Sequence, residues 1–303
     1  MATSGTYNFN PSLGELTLYA FNLAGIRNTA LAQEHMESAR MAANLMLSRW
    51  ANQGVNLWAV DLQTVTFDQS PTITTTTGNG TTTTLTYATP NTPIYTVGLQ
   101  ITVSGTGVVD GLQTVTASGY GSVSFSSSYS GTASGGTISS STPASVYSVD
   151  PTTVMILDAY VTTTANSSQP IDRIIMPVSR TEYASYPNKE QTGFPTIFWF
   201  DRLISPTVTL WPVPDGTSSQ SLSYYRVRQI QDSNYTSGQT VEIPYRWLEA
   251  FATGLAFRLA TVWQPNAVAM LKPMSDEAYM IAAAQDVENV SMYISPQISG
   301  YFR

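Results

Sequence analysis

Cysteine is absent from all 303 residues, which removes disulfide frameworks, thiolate metal sites and cysteine nucleophiles at once. Basic residues are missing over a long stretch: no lysine or arginine occurs between Arg49 and Arg173. Inside that gap, residues 69–149 carry a single carboxylate, Asp110. Charged residues make up 11% of the chain, less than half the usual share of about 25%. Solubility must then come from Ser, Thr, Asn and Gln, or from burial in an assembly. The formal charge of -7 argues against a surface built to neutralise phosphates, so nucleic-acid affinity is not expected. No apolar run approaches the about 20 residues of a membrane span, and MATSGTYNFNPS has neither a basic n-region nor an apolar h-region. The expectation is a chain made and kept soluble in a cytoplasm, with no membrane partner. The Asn79-Gly80-Thr81 and Asn234-Tyr235-Thr236 sequons are then chance matches.

What is present is a 42% hydrophobic, 11% aromatic chain, enough for two or three cores. Ser12 and Glu15 form a capping box ahead of Leu13, Leu16, Ala20 and Leu23 at helical spacing, and Gly25 is placed as a stop. A second stripe runs from about Ala30 to Gln53 through Met36, Ala39, Ala43, Met46, Leu47 and Trp50. Pro244 opens a third helix with Leu248, Phe251, Leu255, Leu259 and Val262, ending before Pro265. After Pro273, the spacing of Met280, Ala283, Val287, Val290 and Ile294 predicts a fourth. Neither pair can bury its stripe alone, so the first should pack on the second.

Between the helical pairs the period changes to two. Trp58, Val60 and Leu62 alternate with Ala59, Asp61 and Gln63, and comparable strands are predicted at 154–163, 173–178, 196–201, 208–213 and 222–230. Ser179 and Glu182 cap a one-turn helix over 179–186. The Thr/Ser/Gly-rich block contains a hairpin signal at Gly78-Asn79-Gly80 and alternating runs at 99–103, 114–117 and 123–125. Its apolar alternation, through Ile94, Tyr95, Val97, Ile101, Val115 and Phe125, favours a folded module over a low-complexity linker.

The fold class that follows is α+β: an antiparallel helical bundle formed by the N- and C-terminal helices, an intervening antiparallel β domain, and an inserted Ig-like β-sandwich. The boundaries are 1–57 for the first helices, 58–68 and 146–242 for the β domain, and 69–145 for the insert, placed at a hairpin tip. The C-terminal helices take 243–294 and an extended tail takes 295–303.

Chemistry is thinly represented. His35 is the one histidine, and QEHMESA lacks the second histidine of a zinc-binding HExxH helix. Nucleophile-elbow, P-loop and dinucleotide-binding signatures are missing; Gly105, Gly107 and Gly111 read as turn glycines. Glu182, Glu190, Asp201 and Asp215 could supply the carboxylate pair of a cell-wall hydrolase, but each has a local explanation: a helix cap, an adjacent Lys189, an adjacent Arg202, and an Asp-Gly turn. No catalysis, metal or cofactor is expected. Phe194, Phe198, Trp199 and Phe200 include core positions, and Trp211-Pro212-Val213-Pro214 is confined by its prolines to an edge or a strand end, although Trp211 taken by itself suits a core better than a contact surface.

Four segments, ARMAANLMLSRWANQGVNLWAVD, RTEYASYPNKEQTGFPTIFWFDR, LWPVPDG and IPYRWLEAFATGLAFRLA, occur in one order, and together the chain resembles the head-to-tail adaptors of short-tailed bacteriophages, of the tail tubular protein A or tail accessory factor type. The resemblance covers about residues 1–67 and 146–303 and departs at the insert. It implies a virion protein in the neck of the tail, forming a ring of about twelve copies. The portal protein lies above that ring and the nozzle protein below, with DNA passing through an acidic lumen without specific binding. The tail SPQISGYFR then offers Ile298, Tyr301, Phe302 and Arg303 to a portal groove, while Trp211, Pro212 and Pro214 face the nozzle. The uncharged insert would meet neighbouring subunits, a tail fibre or a tailspike. A carbohydrate-binding tail protein acting through the insert and a cell-wall hydrolase are the alternatives.

Overall fold

The computed structural model describes residues 5–6, 9–54, 57–67, 70–140, 142, 144–164, 169–215, 220–235 and 238–287. The chain is mixed α and β, mostly sheet, and divides into two compact units: Met1–Ala59 with Ile230–Arg303, and Val60–Gln229. The α-helices among the described residues are α1 (Leu13–Leu23), α2 (Gln33–Ala51), α3 (Arg180–Ser185), α4 (Leu248–Trp263) and α5 (Val268–Gln285).

In the first unit, α1 starts where the capping box places it. The Ser12 hydroxyl accepts the Glu15 amide at 3.3 Å, and Glu15 Oε2 accepts the Ser12 amide at 2.8 Å. Helix α2 begins at Gln33, later than expected, after a 3-10 turn over Asn28–Ala30. Its N-cap is Ala32, which has no capping side chain; His35 Nδ1 accepts the Ala32 amide at 3.1 Å instead. Helix α4 packs against α1, α2 and α5 and is buried on most of its circumference, from Leu248 through Phe251, Leu255 and Ala256 to Leu259 and Ala260, while Val262 is exposed. At Gly254 a Cβ atom would stand 2.6 Å from the buried Met46 sulfur, so a larger residue there would force the Met46 side chain to move. Trp247 closes the core, with Trp50 and Trp58 ring centroids 5.0 and 4.8 Å away.

Helix α5 differs from its expectation in start and phase. It begins at Val268 and runs through Pro273, which removes one bond, the one its nitrogen would have donated to Ala269. The burial of Leu271 on α4 outweighs that loss, and from this anchor the inward face is Leu271, Ala278, Tyr279 and Ala282. Met280 and Val287 therefore point outward at 64% and 67% exposure; Val290 and Ile294 lie outside the described residues. Residues 230–242, assigned to the β domain by sequence, belong to the helical unit. Asn44 exchanges two hydrogen bonds with the Ser233 backbone, Thr17 bonds the Tyr235 hydroxyl at 3.0 Å, and Leu13 donates to Gln239.

The second unit holds strands β1 (Val60–Thr66), β2 (Ile73–Asn79), β3 (Thr82–Tyr87), β4 (Pro93–Ile94), β5 (Gln100–Ser104), β6 (Gly111–Gly119), β7 (Ser122–Ser126), β8 (Ser130–Ala133) and β9 (Thr137–Ser140). They are followed by β10 (Val146–Ser148), β11 (Thr153–Thr163), β12 (Ile171–Pro177), β13 (Ile197–Asp201), β14 (Thr207–Trp211) and β15 (Gln220–Arg228).

Eight strands make one curled sheet in the order β1-β15-β11-β12-β13-β14-β10-β4. It is antiparallel except at β12–β13, which run parallel because the 178–196 crossover carrying α3 is long enough to return the chain to the same end. The sheet bends until its edges meet: the Asn91 amide donates to Gln63 at 3.2 Å, and the Phe67 and Tyr147 rings lie 5.5 Å apart. Its core includes Val65, Tyr147, Val161, Phe198, Leu210, Leu222 and Tyr224.

The other seven strands follow the order β8-β2-β3-β7-β6-β5-β9, one continuous sheet in place of the two facing sheets expected of an Ig-like sandwich. It also curls, bringing β9 back to β2: Ile73 donates to Gly136 at 2.9 Å, and Ile138 to Pro71 at 3.0 Å. Ile73, Leu85, Tyr95, Ile101, Val115, Val123, Phe125 and Ile138 fill the interior. The turn signal at 78–80 does form the β2–β3 hairpin, with Asn79 Oδ1 accepting the Thr81 and Thr82 amides. Two expectations for this module fail. The strands flanking it, β1 and β10, are not hairpin partners, since β1 pairs with β15 and β10 with β14. Nor is 69–145 wholly looped out: within it, 91–94 returns to the eight-stranded sheet, where β4 extends β10.

Candidate partner-binding surface

Register across β13 and β14 sorts their side chains onto two faces. Phe198 pairs with Leu210 on the buried face, while Ile197, Trp199, Thr209 and Trp211 share the other. Helix α3 covers that second face. Ser179 caps it by accepting the Glu182 amide at 3.1 Å, and one turn of helix sets Tyr183 and Tyr186 three residues apart on a common side. Tyr183 stacks on Trp199 with centroids 5.4 Å apart, and Tyr186 stacks on Trp211 at 4.3 Å. The Trp211 indole donates to the Asn188 carbonyl at 2.8 Å.

Lys189 sits between the two aromatic pairs. Its ammonium donates to the carbonyls of Tyr183, Ala184 and Tyr186, the open C-terminal end of α3, and lies 4.8 Å from the Tyr183 ring centroid. Burial raises the Tyr183 phenol above its ordinary pKa, so it stays protonated at neutral pH. The four rings are half-buried, giving an aromatic surface beside the Lys189 ammonium whose geometry is fixed from below by strand pairing. On β12, which pairs Met176 with Ile197, the same face continues through Ile174 and Met176, exposed by 79% and 64%.

Of the residues assigned to a nozzle contact, Trp211 and Pro212 are half-buried at the edge of this surface. Pro214, beside them, is buried. The portal set, Ile298, Tyr301, Phe302 and Arg303, lies outside the described residues. Tyr183, Tyr186 and Lys189 were not singled out from sequence; the available signal was the i, i+3 aromatic pair in a one-turn helix, followed by a lysine at its C-terminal end.

Two of the four candidate carboxylates flank β14. Asp201 pairs with Thr207 at one end of β14, and Asp215 follows the other end. No cluster of three or more His, Asp or Glu suited to a metal ion occurs among the described residues, and no described helix is long and apolar enough to cross a membrane.

A second polar constellation went unread in the sequence. Arg226, with its side chain 5% exposed, makes a bidentate pair with Asp61 at 2.7 and 3.1 Å, reaches Asp150 at 3.2 Å, and donates to Thr153 at 2.9 Å. Burial alone would lower the Arg226 pKa; the Asp61 hydrogen bonds and charge outweigh it, so the guanidinium is held charged. For Asp150 burial raises the pKa, but the Thr152 hydrogen bonds and the Arg226 charge bring it below the usual carboxylate value. A hydrogen-bonded chain continues from Asp61 through Gln63 and Asn91 to the Tyr224 hydroxyl. This network ties β1, β11 and β15 to the segment that returns from the seven-stranded module.

Compared with protein-family models and with curated proteins, the chain matches none.

Proposed function

We propose that the chain is a structural virion protein, a head-to-tail adaptor of the kind found in short-tailed bacteriophages. In this reading the chain ends form an antiparallel helical bundle with the β domain set between them in sequence, and about twelve copies close a ring. The portal protein binds through 295–303, the nozzle protein binds through the aromatic surface, and DNA slides through an acidic lumen. The seven-stranded module is an added decoration that meets neighbouring subunits or a tail fibre.

The observation that carries the reading is convergence. Two of the four resembling segments, RTEYASYPNKEQTGFPTIFWFDR and LWPVPDG, are separate in sequence, yet their aromatic residues form one surface: Tyr183, Tyr186 and Trp199 from the first, Trp211 from the second. Aromatic anchors around one cation are the residue types that dominate protein interfaces. Co-sedimentation of the purified chain with portal and with nozzle protein tests the assignment. Trp211→Ala should weaken nozzle binding at least tenfold and spare the portal, whereas truncation after Ile294 should do the reverse. Retention of both contacts by both variants would refute the assigned faces, and no binding to either protein would refute the adaptor.

A further inference from the structure

The helical unit carries a groove of 670 Å³ between α1 and the start of α4. Its walls include Phe9, Tyr19, Tyr245 and Met274, exposed by 70%, 55%, 73% and 42%. Single exposed apolar side chains are ordinary, but four large ones gathered in one concave site mark a binding surface. The rim is charged: Glu15 and Glu249 are acidic, and the cation Arg246 is already engaged by Asp286.

That ion pair also fixes the end of α5 beside the groove. Asp286 follows the last residue of α5, is 8% exposed, and holds both Arg246 and the Leu57 amide. Residues 288–303, ENVSMYISPQISGYFR, therefore start beside a residue that lines the groove. Sixteen residues reach up to about 50 Å when extended, so length does not limit access. The segment offers Val290, Ile294, Ile298, Tyr301 and Phe302 to the apolar walls and Arg303 to the two rim carboxylates. Tethering supplies an effective concentration on the order of millimolar. A second copy at micromolar concentration would need a far higher affinity to compete.

We propose that residues 288–303 dock in cis in the groove between α1 and α4. The docked segment covers Tyr19 and Tyr245 and sets Arg303 against Glu249 and Glu15. The inference does not depend on the adaptor reading, because it concerns the isolated chain.

Since the chain has no native cysteine, a pair of engineered thiols reports without interference. The full-length double variant Tyr19→Cys, Tyr301→Cys is treated with a short bis-maleimide at submicromolar protein. The control pair is Met41→Cys, Tyr301→Cys, since Met41 is exposed on α2 and does not line the groove. Both replaced positions within the helices are exposed, and circular dichroism verifies that each variant folds. The expected result is intramolecular cross-linking at least tenfold faster for the groove pair, with removal of residues 288–303 raising the fluorescence of an added apolar dye several-fold. Equal rates for the two pairs would overturn the proposal. Cross-links found only between chains would overturn it too, identifying a second copy as the occupant.

Discussion

The two curled sheets of the second unit reach similar closure with opposite chemistry. The eight-stranded sheet has a polar network on its inner side, where Arg226 is held by Asp61 and Asp150, and an aromatic outer face covered by α3. The seven-stranded sheet contains a single carboxylate, no lysine or arginine, and a core of aliphatic residues with Phe125, Tyr87 and Tyr95. An ion-pair network therefore supplements apolar burial in the first, whereas the second relies on β-pairing, apolar burial and local hydrogen bonds without any ion pair. A module closed in this way carries no charge pattern for its exterior, which is why Thr and Ser dominate there.

Mutation can break that comparison, beginning with the largest effect. Phe125→Ala, at 0% exposure in the seven-stranded core, should cost about 4 kcal/mol. Hydrogen exchange should show the loss in β3, β6 and β7 while β11 and β15 keep their protection. Arg226→Ala leaves two carboxylates without their shared cation, one of them a bidentate partner, and should cost about 3 kcal/mol. Denaturant unfolding would register that cost, with loss of protection confined to β1, β11 and β15.

Acid provides the next contrast. The lowered pKa of Asp150 means that its stabilising contribution is fully present above the ordinary carboxylate value and is lost as pH falls through the lowered one. Protection in β1, β11 and β15 should decline as pH drops below about 4, ahead of protection in β3 and β7. Thr83→Val sharpens the comparison from the other side. The Thr83 hydroxyl is fully buried without a hydrogen-bond partner, so its replacement should stabilise the module by about 1 kcal/mol, raising its thermal midpoint. Asp110→Asn should have the smallest effect. The Asp110 carboxylate accepts from the Thr106 hydroxyl and amide and from the Gly107 amide, and these bonds lower its pKa. Faster exchange in the 105–110 loop, with the overall unfolding midpoint unmoved, is the expected outcome.

Much of this architecture was legible where local signals and burial agree. The Ser12–Glu15 capping box and the Asn79 turn each mark an element's boundary, and the stripes of α2 and α4 state both an element and its inward face. Legibility failed where a distant contact overruled the local signal. Pro273 looked like a helix boundary until Leu271 packed on α4, and the phase of α5 shifted by a residue as a result. The return of 91–94 to the eight-stranded sheet had no local signature, because two-residue β4 is defined by its partner alone. At the candidate surface, Trp211 was visible as a tryptophan between prolines. Its stacking partner Tyr186 lies 25 residues earlier, and only the β13–β14 register brings the two together. Arg226 is instructive in the other direction: it alternates in phase with Leu222 and Tyr224, so its inward position could have been read from SLSYYRVR.

The most direct test of the account is electron microscopy of the full-length chain mixed with portal protein. The adaptor reading predicts closed rings of about twelve copies seated on the portal, with density for the seven-stranded module on each subunit. A chain that stays monomeric and leaves the portal bare would contradict it.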